Sequence, residues 1–377
     1  MIIRVVTMKL IIKFCVILMN ILYAFFKIFP IKNNRIVFIS RQSDNPSLDF
    51  RMLKKELEKD YHLEVIIITK KMKKNVKDIL KNINIIIKQM HYLATSKVCV
   101  TDGYNIPISV LKHKKELTII QIWHSLGAIK KFGLQSINTK KQKNIANVLR
   151  MHKNYDYIIV GSDEMKKYFS LAFGYDKEKL FSIGLPRLDY LSNYDKINKK
   201  KIYSKYPIFK KKKVILYVPT FRDNDDYKIN ELIAATDLKK YILVVKKHPN
   251  MSYEIEKKEG VYTCDDFTSL QLLSVSDHVI TDYSAISIEA ARLDKPVYLY
   301  VYDIDEYKNN PGINLNLDKM LPGYVFKDEK KLYNAISKEK YDMDVISKFK
   351  KKYVCNDKGT VTKELAEFIV EKGKIEV

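Results

Sequence analysis

The chain has 377 residues, 46% hydrophobic and 30% charged, which excludes a disordered chain and exceeds what one hydrophobic core ordinarily supports. Two domains of roughly 150 to 200 residues are therefore expected. The formal net charge of +24 comes from 60 lysines against only 8 arginines, and runs such as Lys210 to Lys213 read as solvated helix faces and loops. Nucleic-acid readers instead set arginines and aromatics in a stripe, so no nucleic-acid partner is expected; an anionic membrane surface or an anionic substrate suits the charge better.

Residues Phe14 to Phe26 form a 13-residue apolar stretch interrupted only by Asn20 and flanked by Lys9, Lys13, Lys27, Lys32 and Arg35. A spanning helix needs about 20 apolar residues, and no small-residue cleavage site follows. Residues 1–34 are read as a membrane-associating segment, an interfacial helix whose apolar face enters lipid while lysines meet anionic headgroups. A true anchor with Lys13 snorkelling and a buried domain helix are the alternatives. On the interfacial reading the protein is peripheral, on the cytoplasmic side of the cell membrane. Four distant cysteines, Cys15, Cys99, Cys264 and Cys355, fit a reducing compartment and suggest neither a zinc site nor a disulfide framework.

Beyond this segment, short β-branched runs alternate with amphipathic helices, the pattern of strands buried on both faces of a parallel sheet. The first series of strands is Arg35 to Ile39, Glu64 to Ile68, Asn84 to Ile87, Lys97 to Thr101, Thr118 to Trp123, Tyr157 to Val160 and Phe181 to Ile183. Ser162 can cap a helix running to Phe173, which Gly174 closes. The second series is Val214 to Val218, Tyr241 to Lys246, His278 to Thr281, Val297 to Val301 and Tyr324 to Phe326. The expected fold is α/β, with two doubly wound Rossmann-type domains facing a cleft. Residues 35–192 are expected to form the first domain, 193–213 a lysine-rich linker, 214–345 the second domain, and 346–377 helices that pack back on the first.

Such sheets bind ligands at the carboxyl ends of their strands, and five strand ends carry chemistry. Thr281-Asp282-Tyr283-Ser284 leads into a helical Ala285 to Leu293, a good phosphate site if its side chains do more than cap the helix. Lys247-His248-Pro249-Asn250 puts cations and an imidazole at a second strand end, the proline holding His248 in an extended conformation. Thr220-Phe221-Arg222-Asp223 offers a planar guanidinium in a lysine-dominated chain, for a diphosphate or for a surface carboxylate. His124, beside Gly127, is a candidate general base for an alcohol, with Lys130 and Lys131 either contacting an anionic acceptor or lying on a solvated face. Arg187, in Gly184-Leu185-Pro186-Arg187, faces the cleft or fixes the domains.

Taken in order and spacing, QIWHSLGAIKKFG, GLPRLDYL, ILYVPTFRD, VVKKHPN, ITDYSAISIEAARLDKPVYLYVYDIDEY and NNPGINLNLDKMLPGYVFKD, spanning about 121 to 328, resemble the bacterial CDP-glycerol glycerophosphotransferase family of wall teichoic acid primases and polymerases. The resemblance implies a GT-B-like fold and attack of an acceptor hydroxyl on the β-phosphate of CDP-glycerol with release of CMP. It implies His124 as base and His248 as the assistant at the donor phosphates. It further implies a donor phosphate site of Thr220, Arg222, Lys247, Thr281 and Ser284, supported by Asp282, Glu289 and Pro249, with Gly127, Lys130, Lys131 and Arg187 on the acceptor side. The family's Gly-Thr-Pro-Leu-Lys-Lys after Trp-His is here Ser125-Leu126-Gly127-Ala128-Ile129-Lys130-Lys131, a difference that bears on the acceptor and the polyol.

Phosphoryl transfer proceeds mainly by positioning and charge stabilisation. No acidic cluster in the sequence has metal-ligand spacing, Asp303-Ile304-Asp305 being the nearest, so neither metal nor cofactor is expected. The expected partners are a nucleotide-linked polyol phosphate, a lipid-linked glycan acceptor and a membrane surface, with homo-oligomer formation left open. CDP-ribitol is the rival donor, and a nucleotide-sugar glycosyltransferase on the same fold is the rival class.

Overall fold

The computed structural model describes residues 2–72, 81–222, 226–247, 251, 253–255, 257–356 and 358–376, with side chains from residue 9 onward. The chain divides into two compact units, one of Met1–Ser125, Phe132–Arg187 and Thr360–Val377, the other of Leu126–Lys131 and Leu188–Gly359.

The first unit contains β1 (Lys32–Ser40), β2 (Glu64–Thr69), β3 (Ser96–Thr101), β4 (Thr118–Gln121), β5 (Tyr157–Ile159) and β6 (Leu180–Phe181). They form one parallel sheet in the order β2-β1-β3-β4-β5-β6. Ile36 to Ile39 are buried without alternation, because helices cover both faces of a parallel sheet. Ser47 accepts from the Phe50 backbone to start the helix Leu48–Asp60, which buries Phe50, Leu53 and Leu57, and the C-terminal helix Val361–Gly373 packs against it. Gly174 closes the helix Asp163–Phe173 in the left-handed conformation at φ 70°, while Ser162 stands at its N-cap without a side-chain capping bond.

One expected strand is a helix. Asn84 to Ile87 fall at the start of the helix Ile83–Thr95. Four β-branched residues in five read as a strand, but burial of Ile86, Met90, Leu93 and Ala94 follows the helical period. Tertiary packing of that face outweighs the local preference of isoleucine for strands.

The second unit contains β7 (Lys213–Tyr217), β8 (Tyr241–Val245), β9 (Val261–Tyr262), β10 (His278–Thr281), β11 (Val297–Tyr300) and β12 (Val325–Phe326). They form a parallel sheet in the order β12-β11-β10-β7-β8-β9. Its core is tyrosine-rich, with Tyr217, Tyr241, Tyr298 and Tyr300 all buried, and buried phenols need partners. The Tyr217 hydroxyl donates to the Tyr227 carbonyl at 3.0 Å and that of Tyr241 to Glu339 at 3.1 Å. The lysine-rich stretch 193–213 is largely helical, with Asp195–Lys205 and a 3-10 turn at Pro207–Lys210 burying Ile202 and Phe209, and it belongs to this unit.

The helix Ile2–Phe26 contains an 18-residue segment, Lys9–Phe26, that is long and apolar enough to cross a membrane. Its C-terminal part is docked on the first unit. Asn20 donates to the Val110 carbonyl and accepts from the Lys112 backbone, Tyr23 is fully buried with its hydroxyl 3.0 Å from His113 Nδ1, and Lys27 donates to the Lys112 carbonyl. Leu10, Phe14, Ile17, Leu18, Ile21 and Phe25 face outward.

The helical register of Ile83–Thr95 is testable by denaturant unfolding. Leu93→Ala, at a fully buried position, should cost about 2–5 kcal/mol, whereas Ile87→Ala, at an exposed one, should cost under about 1 kcal/mol. Equal costs would contradict the register.

Candidate active site

In the first unit the strand order reverses between β1 and β3, a point at which the two loops diverge and leave a crevice. His124 follows the neighbouring β4. Before it, Trp123 adopts φ 57°, a left-handed conformation that costs a bulky residue about 1–3 kcal/mol. Packing holds it there: the indole stacks on Phe132 at 4.9 Å, meets Phe173 edge-on at 5.2 Å and lies 4.2 Å from the His124 ring. Trp123 is thus a platform that aims His124.

His124 Nδ1 lies 2.9 Å from the Asp102 carbonyl oxygen. A carbonyl only accepts, so Nδ1 carries the proton and Nε2 is the ring's accepting nitrogen. Gln42 stands 3.3 Å from the same Nδ1, and this tautomer requires its amide to turn the oxygen toward that N–H. The imidazole is exposed. Such a fixed tautomer, with a lone pair on the outer nitrogen, is what a general base needs.

Arg187 is held in the first unit by Asp49, its backbone N–H donating at 2.9 Å and its Nε at 3.1 Å to a carboxylate that is 2% exposed. The pair fixes Arg187 against the helix Leu48–Asp60 within the first unit.

In the second unit the order reverses between β7 and β10, and the expected donor residues gather there. Asp282 is fully buried and accepts from the Thr220 backbone and hydroxyl, both at 2.9 Å, and from Arg222 at 2.8 Å. The other side of the Arg222 fork grips Asp303, at 2.7 and 3.2 Å. Burial lowers the guanidinium pKa, but Asp282 and Asp303 more than compensate and leave it raised. Tyr302 lies 4.8 Å from the guanidinium, and Tyr283 donates to Asp303 at 3.0 Å. The Thr281 hydroxyl donates to the Val218 carbonyl at 2.8 Å, tying β10 to the end of β7. Glu289 is 5% exposed on the following helix.

The accessible groups of this cluster are others. Ser284 and Lys247 are partly exposed, the latter just beyond β8. The helix after Ser284 spans only Ile286–Arg292, shorter than expected, so its dipole contributes little and cations and hydroxyls must supply most of the attraction for an anion. His248 and Pro249 lie outside the described residues.

The segment Leu126–Lys131 belongs to the second unit. A Cβ at Gly127 would come within 2.5 Å of the Ile288 Cδ1 methyl, so any larger residue would require that side chain to move. Asn314 bonds to the carbonyls of Ala128 and Ile129 at 3.0 and 2.8 Å, and the Lys131 backbone donates to Gly312. Lys130, expected on the acceptor side, lies within electrostatic reach of Asp282 and Arg222. Desolvation lowers its pKa while Asp282 opposes the change, although part of the side chain stays exposed. Among the described residues no cluster of His, Cys, Asp or Glu could hold a metal ion.

Sequence reasoning missed Asp102, Gln42 and the structural part of Asp303. Asp102 directly follows β3 and Gln42 lies two residues past β1, so the rule that selected the other five strand ends could have found them.

Asp102 yields a prediction. It is 2% exposed, its Oδ1 has no partner among the described residues, and burial raises its pKa to about 7 against a hydrogen bond from Ser40. The unfolded carboxyl titrates near about 4. Between about pH 4 and 7 the folded chain therefore keeps a proton that the unfolded chain has lost, and stability falls as pH rises, by at most about 4 kcal/mol. Asp102→Asn should remove this loss in urea unfolding from about pH 5 to about pH 8; parallel pH slopes for wild type and variant would contradict it.

Residues 21–371 match the family described as CDP-glycerol:poly(glycerophosphate) glycerophosphotransferase. The chain is 28% identical to the teichoic acid ribitol-phosphate primase of Bacillus spizizenii strain W23, covering 90% of this chain and 92% of that one. It is 34% identical to the teichoic acid glycerol-phosphate primase of Bacillus subtilis strain 168, covering 75% and 76%. The solved structure of the wall teichoic acid polymerase TagF superposes with a TM-score of 0.73 at 21% identity, covering 98% and 97% of the two chains, and shares the fold. The chain belongs to the CDP-glycerol:poly(glycerophosphate) glycerophosphotransferase family.

Proposed function

We propose that the chain transfers glycerol phosphate from CDP-glycerol to a lipid-linked acceptor of the undecaprenyl-diphosphate type in teichoic acid synthesis, releasing CMP. The observation that carries this reading is the second-unit switch point, where a buried carboxylate and guanidinium scaffold supports accessible Lys130, Lys247 and Ser284. Those groups suit the diphosphate of the donor. Thr220, Arg222, Thr281 and Asp282 act as positioning residues beneath them. In the transfer, an acceptor hydroxyl oxygen bonds to the β-phosphorus, and the bond from that phosphorus to the bridging oxygen breaks. CMP leaves with the electron pair, and His124 Nε2 takes the hydroxyl proton. Cationic side chains neutralise the developing charge, so no metal ion is required.

CDP-ribitol is the second reading, favoured by the near end-to-end match with a ribitol-phosphate primase. An extra length of polyol asks little of the diphosphate site, so the two donors are separated by assay.

We place the protein at the membrane, on the cytoplasmic side where a cytidine diphosphate donor is available. The outward face of the helix Ile2–Phe26 supports this, since a row of large apolar side chains is costly to leave in water.

Four measurements test the proposal. Purified protein given CDP-glycerol and a lipid-linked acceptor should release CMP faster than with CDP-ribitol; release from neither donor with any acceptor would refute it. His124→Ala should lower turnover by about 10²- to 10⁴-fold while CDP-glycerol still binds, and a chelator should leave turnover unchanged. Replacing Phe14 and Leu18 by Asp should reduce flotation with anionic vesicles, and undiminished flotation would remove the helix from the membrane contact.

A further inference from the structure

The first unit contains a cavity of about 360 Å³ that the transfer reaction as described does not use. It opens beside the switch point of the sheet, between Arg41 after β1 and Tyr104 after β3, the two strands where the order reverses. Its walls come from the helices Ile83–Thr95 and Lys140–Val148, through Ile86, Gln89, Ile145 and Ala146. The N-terminal apolar helix packs on both of these helices.

Two polar groups in this apolar cavity lack what they need. Arg41 is half-buried and lies 5.9 Å from the Tyr104 ring, with no carboxylate partner among the described residues, and burial lowers its pKa. A guanidinium stays charged in proteins, so an unneutralised one in a partly desolvated site favours an anion. Gln89 is 1% exposed, and its Nε2 has no hydrogen-bond partner among the described residues. Its orientation is fixed, because Oε1 accepts from Asn105 Nδ2 at 3.1 Å while Asn105 Oδ1 accepts from the Ile108 backbone. An amide flip would set two donors against each other, so the orphan N–H₂ remains a donor waiting for an acceptor.

We propose that this cavity binds the isoprenoid diphosphate end of the lipid-linked acceptor, with phosphate oxygens on Arg41 and the Gln89 amide and the first isoprene units against Ile86, Ile145 and Ala146. The proposal rests on the polyol-phosphate transfer reading and gives the acceptor a place within it. Gln42 follows Arg41 directly and contacts His124, so the glycan carried by the diphosphate extends from Arg41 toward the base. The apolar helix against the cavity's walls brings the hydrocarbon tail and the membrane to the same side of the unit. A nucleotide or free sugar would leave the apolar walls unused, whereas a hydrocarbon alone would leave Arg41 and Gln89 unmet.

The test uses the full chain with farnesyl diphosphate, inorganic diphosphate and farnesol as probes in a direct binding assay. Farnesyl diphosphate should bind at least about tenfold more tightly than either fragment, since the site meets head and tail together. Ala146→Trp, which fills the cavity, should abolish its binding, and Arg41→Gln should weaken it about tenfold without affecting farnesol. Both variants should raise the KM for lipid-linked acceptor and leave CDP-glycerol affinity unchanged. Wild-type affinity for farnesyl diphosphate in folded Ala146→Trp would overturn the proposal, because it would place the probe elsewhere, such as on the exposed N-terminal helix. Should Ala146→Trp fail to fold, wild-type affinity in Arg41→Gln and Gln89→Met would overturn it equally. Absence of CMP release with normal probe binding would count against the transfer reaction alone; normal turnover with unaltered acceptor KM in the variants would count against the cavity alone.

Discussion

Arg222 reaches from the end of β7 across the end of β10, gripping Asp282 with one nitrogen and Asp303, beyond β11, with the rest of its fork. Three adjacent strand ends are thereby held in one arrangement. A buried ion pair of this kind is weak evidence for stability, because desolvation offsets most of the attraction. It does fix geometry, since breaking it would leave a buried charge unpaired. Two carboxylates against one guanidinium leave one negative charge, and Lys130 stands where it can offset that charge. Lys130 lies in the altered loop after His124, so that loop carries a cation to this cluster.

The candidate residues divide by depth. Thr220, Arg222, Thr281 and Asp282 are buried and spend their hydrogen bonds on one another and on neighbouring strand ends. His124, Lys130, Lys247 and Ser284 retain exposed surface. Burial leaves the first group little surface to offer a ligand, whereas each member of the second keeps some. His124 repeats this logic on a smaller scale, with Trp123 strained into place by aromatic packing and the Asp102 carbonyl selecting the tautomer.

Much of this was legible in the sequence. Continuous β-branched runs located eleven strands, because buried parallel strands need no alternation. The two-residue β9 is too short to stand out, and Asn84 to Ile87 misled because isoleucines at helical spacing begin with a strand-like cluster. The scarcity of arginine signalled a need for a planar fork. Arg35 with Glu64, Arg187 with Asp49, and Arg222 with two aspartates all fill it with carboxylate in the structure. Partners 29, 138 and up to 81 positions away in the chain cannot be read from local pattern. Asn20, the one polar residue between Phe14 and Phe26, is likewise explained only by the distant Val110 and Lys112 backbone groups that it meets.

On the proposed function, the Arg222 network shapes the donor site. The most direct measurement is the CDP-glycerol dissociation constant of Asp303→Asn against wild type, with folding verified for both. A scaffold that has lost one side of its fork should bind donor about tenfold more weakly. If Arg222 instead bound the donor phosphates directly, releasing it from Asp303 would leave affinity unchanged or tighter, and that result would contradict the account.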